Sequence, residues 1–213
     1  MPANVYDVTG VVLAGGESRR MGRPKAGLDL GGRTLVERVI GRVAGLCREV
    51  IIVTRSTLDY IEYPYKVVRD LVPGQGPLGG LATGLFYARH PHTLVVACDL
   101  PFLSPPILEH LIQTALDLPD GPIAVVPRTP GGWHPLVAVY TAACLKPARR
   151  LLAQGGRKVD DLKRSGVQWR TVEEAELRLL DPDLISFTNV NTPQDLETAR
   201  ALLAAETSGV STA

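Results

Sequence analysis

The sequence predicts a single-domain α/β fold, a three-layer sandwich with a mostly parallel sheet. Three observations carry this expectation. First, short runs that are apolar at nearly every position recur along the chain, as in Val50-Ile51-Ile52-Val53 and Thr93-Leu94-Val95-Val96-Ala97-Cys98. Strands covered by helices on both faces read this way, because neither side of the sheet meets water. Second, segments with a 3.6-residue apolar stripe alternate with these runs, the pattern of β-α-β crossovers. Third, no internal repeat or long linker divides the 213 residues, a length that suits one large domain.

Taken in order, Val8 to Leu13 is the first strand. A glycine-rich and basic loop runs from there to about Lys25. Thr34 and Glu37 have the spacing of a capping box, and Leu35, Val36, Val39, Ile40, Val43 and Leu46 form one stripe of a helix over residues 35–46. Val50 to Val53 is the second strand and Val67-Val68 a shorter one ending at Arg69-Asp70. A second glycine- and proline-rich loop, Val72 to Gly80, leads into a helix with Leu78, Leu81, Ala82, Leu85 and Phe86 on one side. Thr93 to Cys98 is a buried strand closed by Asp99-Leu100-Pro101. Ser104 and Pro105 start the next helix. Pro122 to Val126 and Pro135 to Tyr140 are strands, the latter expected to pair antiparallel. A helix follows Thr141 and stops at Gly155-Gly156, with a short helix around Val159 and Leu162 beyond it. Val167 to Val172 reads as an edge strand, Glu173 to Glu176 as a solvated acidic face, and Phe187 to Asn191 as the end of a last strand. Thr192-Pro193 caps a final helix. The domain is expected to span residues 1–205, with residues 206–213 a flexible tail.

Composition narrows the function. Hydrophobic residues make up 45% and charged residues 21%, and 23 Lys and Arg face 22 Asp and Glu. The chain can bury a substantial core, and its charge balance disfavours a nucleic-acid or membrane-surface binder. Cys47, Cys98 and Cys144 are widely spaced and lack a C-x-x-C pair, so buried reduced thiols are expected. No signal peptide or bilayer-length apolar run is seen, and a cytoplasmic location is expected.

The chemistry should gather where strands end. In open α/β sheets ligands bind at the carboxyl ends of strands, and the loops after Leu13, Asp70, Asp99 and Asn191 should meet there. The first is the most telling. Gly15 and Gly16 follow a strand, where a glycine turn presents N–H groups to one point, and Arg19, Arg20, Arg23 and Lys25 add positive charge. That combination suits a nucleoside triphosphate. It is not the P-loop, since Gly16 and Gly22 are one residue too far apart and Arg23 stands in place of the lysine. Nor is it the dinucleotide fingerprint, because Gly15 and Gly16 are adjacent.

The wording of the loop is more specific. Leu13 to Lys25 spells L-A-G-G-x-S-x-R-M-G-x-x-K, which resembles the nucleotidyltransferase family that includes molybdenum cofactor guanylyltransferase. Asp70 before Gly76-Pro77-Leu78, Cys98-Asp99-Leu100-Pro101, His134-Pro135-Leu136 and Asn189 to Pro193 match further family motifs in order. The resemblance implies a Rossmann-like, nucleotidyltransferase-type sandwich. It implies transfer of GMP from GTP to the terminal phosphate of molybdopterin, with release of pyrophosphate and formation of a molybdopterin guanine dinucleotide. By the same resemblance, Leu13, Ala14 and Gly15 would contact the nucleotide through the backbone. Gly16 would donate N–H groups to the triphosphate. Arg20 would neutralise the β- and γ-phosphates and Lys25 the α-phosphate. Asp70 would serve the nucleotide side, Asp99 would hold Mg²⁺, and Asn191 would offer a second metal contact. Molybdenum-insertion proteins or molybdoenzymes are the implied protein partners.

Competing readings attach to several of these residues. Asp99 suits a plain turn, Asn191 to Pro193 a helix cap, His134 a loop-fixing contact, and Trp133 either packing or a cover for the acceptor. One position departs from the family pattern. Where members often carry an asparagine that reads guanine, this chain has Val53, followed by Thr54 and Arg55. Base recognition must then use backbone, a neighbour such as Thr54, or a different nucleotide. The alternatives are a CTP-dependent cytidylyltransferase on the same acceptor, another small-phosphate nucleotidyltransferase, and a non-catalytic nucleotide-binding module. Glycine at position 15 favours GTP over CTP, since a Cβ there would crowd the larger base.

Overall fold

The computed structural model describes residues 5–15 and 25–209. Its main sheet runs in the order β3-β2-β1-β4-β7-β5-β8. The strands are β1 (Tyr6–Leu13), β2 (Cys47–Thr54), β3 (Lys66–Arg69), β4 (His92–Ala97), β5 (Ile123–Thr129), β6 (Gly132–Trp133), β7 (Val137–Thr141) and β8 (Gln168–Val172). The strands β3, β2, β1 and β4 are mutually parallel. β7 is antiparallel to both β4 and β5, as expected for the 135–140 segment, and β8 returns parallel to β5 at the edge. β6 forms a small hairpin with β5.

The described residues include six α-helices: α1 (Leu35–Ala44), α2 (Gly76–Tyr87), α3 (Pro105–Leu116), α4 (Leu145–Ala153), α5 (Glu174–Leu180) and α6 (Pro193–Gly209). Strand alternation sorts the core into two layers. On β1 and β2, Val8, Val12, Val50 and Ile52 face α1 and α3, while Val11, Ile51 and Val53 face α2 and α4. Short-period apolar runs thus arise from burial on both faces, as the sequence implied. No helix among the described residues is long and apolar enough to cross a membrane.

Local signals explain the helix starts. Thr34 Oγ1 accepts from Glu37 N–H at 3.3 Å, and the Glu37 carboxylate accepts from Thr34 N–H at 2.6 Å. These bonds hold the Glu37 carboxyl below its ordinary value. Thr192 and Asp195 make the same reciprocal pair ahead of α6, with both distances near those of a capping box, 2.8 and 3.2 Å.

One expectation is extended and one is corrected. The acidic run at 173–176 is a helix start: Glu173 and Glu176 form a capping box, and Leu177 buries against the core. The segment from Phe187 is not a strand. Residues Ile185–Phe187 form a 3₁₀ turn, and Val190 then donates its N–H to Asp99 O at 2.9 Å in place of a strand ladder. Val190 packs with Leu28, Leu30, Leu35, Leu196 and Ala199 in a third, smaller cluster. The segment is extended and apolar, but its partner is a loop and a helix.

Candidate active site

Parallel strands place their carboxyl ends along one edge, and backbone bonds tie those ends together. Ala14 N–H donates to Val53 O at 2.8 Å, Cys98 N–H to Leu13 O at 3.2 Å, and Asp70 N–H to Thr54 O at 2.8 Å. At the β4–β7 junction, Ala97 N–H donates to Leu136 O at 2.9 Å. A cleft of about 590 Å³ opens above these ends. Its walls include Leu13, Gly15, Val53, Arg55, Asp70 and Asp99.

The far wall is the start of α2, brought close by small residues. Gly84 lies over β1 where a Cβ would stand 2.6 Å from Val11 Cγ1. Gly76 has φ +63°, and a Cβ there would stand 2.9 Å from Arg157 O. Arg157 O in turn accepts from Leu78 N–H at 3.2 Å. The chain after α4 is thereby latched to the first turn of α2, and Arg157 joins the cleft wall.

Of the residues singled out from the sequence, Leu13, Gly15, Asp70 and Asp99 meet in this one cleft. Ala14 lies between them, with its N–H committed to Val53. Asp70 is fixed by its own Oδ1, which accepts from Val72 N–H and Thr83 Oγ1, both at 3.0 Å. Asn191 follows Val190, whose N–H meets the Asp99 carbonyl, so the two residues are neighbours through the backbone. Gly16 and Arg20 lie outside the described residues, as do Arg19 and Arg23. Lys25 opens a 3₁₀ turn, Lys25–Gly27, and its side chain also lies outside the described part.

The competing readings divide. His134 fixes a loop: its Nε2 pairs with Thr129 Oγ1 at 2.8 Å and its ring lies 4.4 Å from Phe187. Burial pushes its pKa down, so it is neutral near pH 7. Trp133 packs at 5.2 Å edge-on against Trp169, with the Lys163 ammonium 4.1 Å from its ring centroid. His90 is held by Thr9 Oγ1 at 3.0 Å. Cys47 and Cys144 are buried, which raises their thiols to about 12 and about 11. Two cleft cations, Arg55 and Arg157, were not singled out from the sequence. Arg55 stands at the bend just past the end of β2, two residues beyond Val53. Arg157 had no local signal, because a backbone contact with Leu78 places it.

The donor set suits a hard cation. Mg²⁺ is usually held by one or two carboxylates together with substrate phosphates. Asp99 supplies an oxygen donor of that kind in the cleft wall, and Asn191 follows the residue whose N–H meets the Asp99 carbonyl. Among the described residues no group of three or more His, Cys, Asp or Glu is placed to hold a metal by itself.

Comparison with known proteins agrees with this geometry. Residues 10–168 match the family described as MobA-like NTP transferase domain. The chain is 41% identical over 199 residues to the molybdenum cofactor guanylyltransferase of Desulfosudis oleivorans, covering 93% of this chain and 96% of that protein. It is 37% identical to a probable molybdenum cofactor guanylyltransferase of Pelotomaculum thermopropionicum, covering 93% and 94%. Among solved structures it resembles molybdopterin-guanine dinucleotide biosynthesis protein A from Archaeoglobus fulgidus, with a TM-score of 0.77, 31% identity, and 92% and 99% coverage. With the match spanning most of its length and the cleft at the strand ends expected of such enzymes, the chain belongs to the MobA-like NTP transferase family.

Proposed function

We propose that this protein transfers GMP from GTP to the terminal phosphate of molybdopterin. A phosphate oxygen of the acceptor attacks the α-phosphorus, the α–β bridging bond breaks, and pyrophosphate leaves. The product is a molybdopterin guanine dinucleotide. The observation that carries the reading is the meeting of Gly15, Asp70 and Asp99 at the ends of three parallel strands, in a chain with this kinship.

The chemistry asks little of a general base. A phosphate monoester has a second pKa of about 6 and is largely a dianion at neutral pH. The protein must hold two anions together and offset charge in the transition state. In this proposal Leu13, Ala14 and Gly15 line the nucleotide with backbone, and Gly16 turns N–H groups to the triphosphate. Arg20 neutralises the β- and γ-phosphates and Lys25 the α-phosphate. Asp70 serves the nucleotide side. Asp99, with Asn191 beside it, would hold Mg²⁺, which when bound supplies positive charge shared between phosphate oxygens. The setting is the cytoplasm, and the product would be handed to molybdenum-insertion proteins or molybdoenzymes.

Pyrophosphate release is the test. With GTP, Mg²⁺ and molybdopterin together, release and a dinucleotide product are expected, and neither when the acceptor is omitted. No turnover with any nucleoside triphosphate and this acceptor would sink the proposal.

A further inference from the structure

The wall of the cleft beside Gly15 raises the question of what reads the base. Val53 lies there, but it is apolar and 2% exposed. Thr54, the neighbouring hydroxyl, is on the opposite face of β2. It is 2% exposed, and its Oγ1 pairs at 3.3 Å with both the N–H and the carbonyl of Ser56. It does not reach the cleft. Arg55 stands one position past the end of β2, at a bend in the chain. It is exposed and lines the cleft. A Cβ built on Gly15 would stand 3.6 Å from Arg55 N and 3.7 Å from Arg55 Cγ. The Gly15 backbone and the Arg55 side chain therefore border the same space. On the opposite wall Gly74, Gly76, Pro77 and Gly80 bring no polar side chain, and Arg157 stands with them against Gly76, across the cleft from Gly15. Asp70 can only accept hydrogen bonds, and its Oδ1 already takes two.

Resting on the GTP reading above, we infer that Arg55 is the specificity-determining residue for the purine, its guanidinium donating to O6 and N7 of guanine. An arginine offers a planar fork of N–H donors. Guanine presents two acceptors, O6 and N7, side by side on one edge, and this pairing is the commonest arginine–base contact. Adenine has a donor, the N6 amino group, where guanine has O6. It would set donor against donor, so ATP is rejected as well as GTP favoured. A lysine can also donate to O6 and N7 but lacks the planar fork, so Arg55→Lys should keep the preference for guanine in weakened form.

The experiment is direct nucleotide binding, by calorimetric titration without acceptor, using GTP, ITP, 7-deaza-GTP and ATP. ITP retains O6 and N7, while 7-deaza-GTP lacks N7. The wild type should bind GTP and ITP within a few-fold of each other, and 7-deaza-GTP and ATP about tenfold or more weakly. Arg55→Ala should weaken GTP by about ten- to a hundredfold and bring GTP and ATP together. Because Arg55 is exposed, its variants should melt as the wild type does. If Arg55→Ala weakens all four nucleotides equally, the arginine acts on phosphate and the inference is overturned. If it leaves GTP binding unchanged, the inference is overturned as well. Turnover measured in parallel separates the two ideas. GTP selectivity lost in Arg55→Ala without any wild-type transfer would sink only the transferase reading. Transfer with an unaltered GTP-to-ATP ratio in Arg55→Ala would sink only the role of Arg55.

Discussion

The two halves of the sheet furnish the cleft in different ways. In β3-β2-β1-β4 every strand is parallel, and each ends at the site: Asp70, Val53, Leu13 and Ala97 stand at or next to four strand termini. In the half built from β7, β5 and β8 the pairing is mixed. There the cleft receives Leu136, at the start of a strand running the other way, and Arg157, from a loop latched to α2. Parallel pairing converts strand order into a row of functional loops. Antiparallel pairing sends alternate loops to the opposite edge, so this half must reach the cleft by turns and backbone contacts. Chemistry should accordingly be concentrated in the parallel half, and the mixed half should supply frame and rim.

The largest effect should come from the parallel half. Asp99→Asn keeps the shape of the side chain but removes its charge, and turnover should fall by at least about a hundredfold, as when one electrostatic contributor to a transition state is lost. Pyrophosphate release against Mg²⁺ concentration checks this, with a melting curve to confirm the fold. Unchanged turnover at limiting Mg²⁺ would remove Asp99 from the site.

Packing changes sharpen the contrast. Leu162 is fully buried behind the mixed half, and Leu162→Ala should cost about 2–5 kcal/mol in a urea titration. The ratio of GTP to CTP use should nevertheless hold. Gly84→Ala would force a methyl against Val11 and should cost less, about 1–3 kcal/mol. It should raise the nucleotide KM, because α2 would lift from β1 and carry the cleft wall with it. Equal effects of the two variants on nucleotide KM would erase the distinction between the halves.

A smaller effect is expected on pH dependence. Burial lowers the pKa of His134, and desolvation does the same at His92. For a histidine held neutral in the fold, the unfolded chain binds the proton first as pH falls. Stability is therefore full above the ordinary value of about 6.5 and declines as pH drops from there toward the lowered folded value. His134→Gln should flatten part of that decline in urea midpoints measured between pH 7.5 and 5, with His92 carrying the remainder. An unchanged slope would contradict the burial account.

Much of the parallel half was legible in the sequence. Strands buried on both faces leave continuous apolar runs, and Thr34 with Glu37 marks a helix start by chemistry that needs no tertiary partner. The family resemblance singled out Gly15, Asp70 and Asp99 from widely separated motifs, and these three line one cleft. The rest depended on contacts between distant segments. Residues 187–191 look like a strand but bond to a loop, through Val190 and Asp99. The acidic residues Glu173 and Glu176 stay at the solvated surface, as the sequence implied, and their carboxylates also cap a helix that buries Leu177. Arg157 enters the site only because Leu78 N–H finds its carbonyl. Arg55 reaches the cleft from a bend just past the end of β2, a position that no strand periodicity marks.

The central claim is that the carboxyl ends of the parallel strands hold the nucleotide and choose its base. Gly15→Ala tests it most directly. Among the described residues beyond its chain neighbours, the added Cβ would meet no atom closer than 3.6 Å, so this part of the fold should be untouched and the change should fall on the ligand. The measurement is kcat/KM for GTP and for CTP at saturating molybdopterin, in the wild type and in Gly15→Ala. The account predicts that the wild type prefers GTP and that the preference falls in the variant, through loss of GTP use. A wild type that prefers CTP, or a GTP-to-CTP ratio unmoved by the substitution, would contradict it.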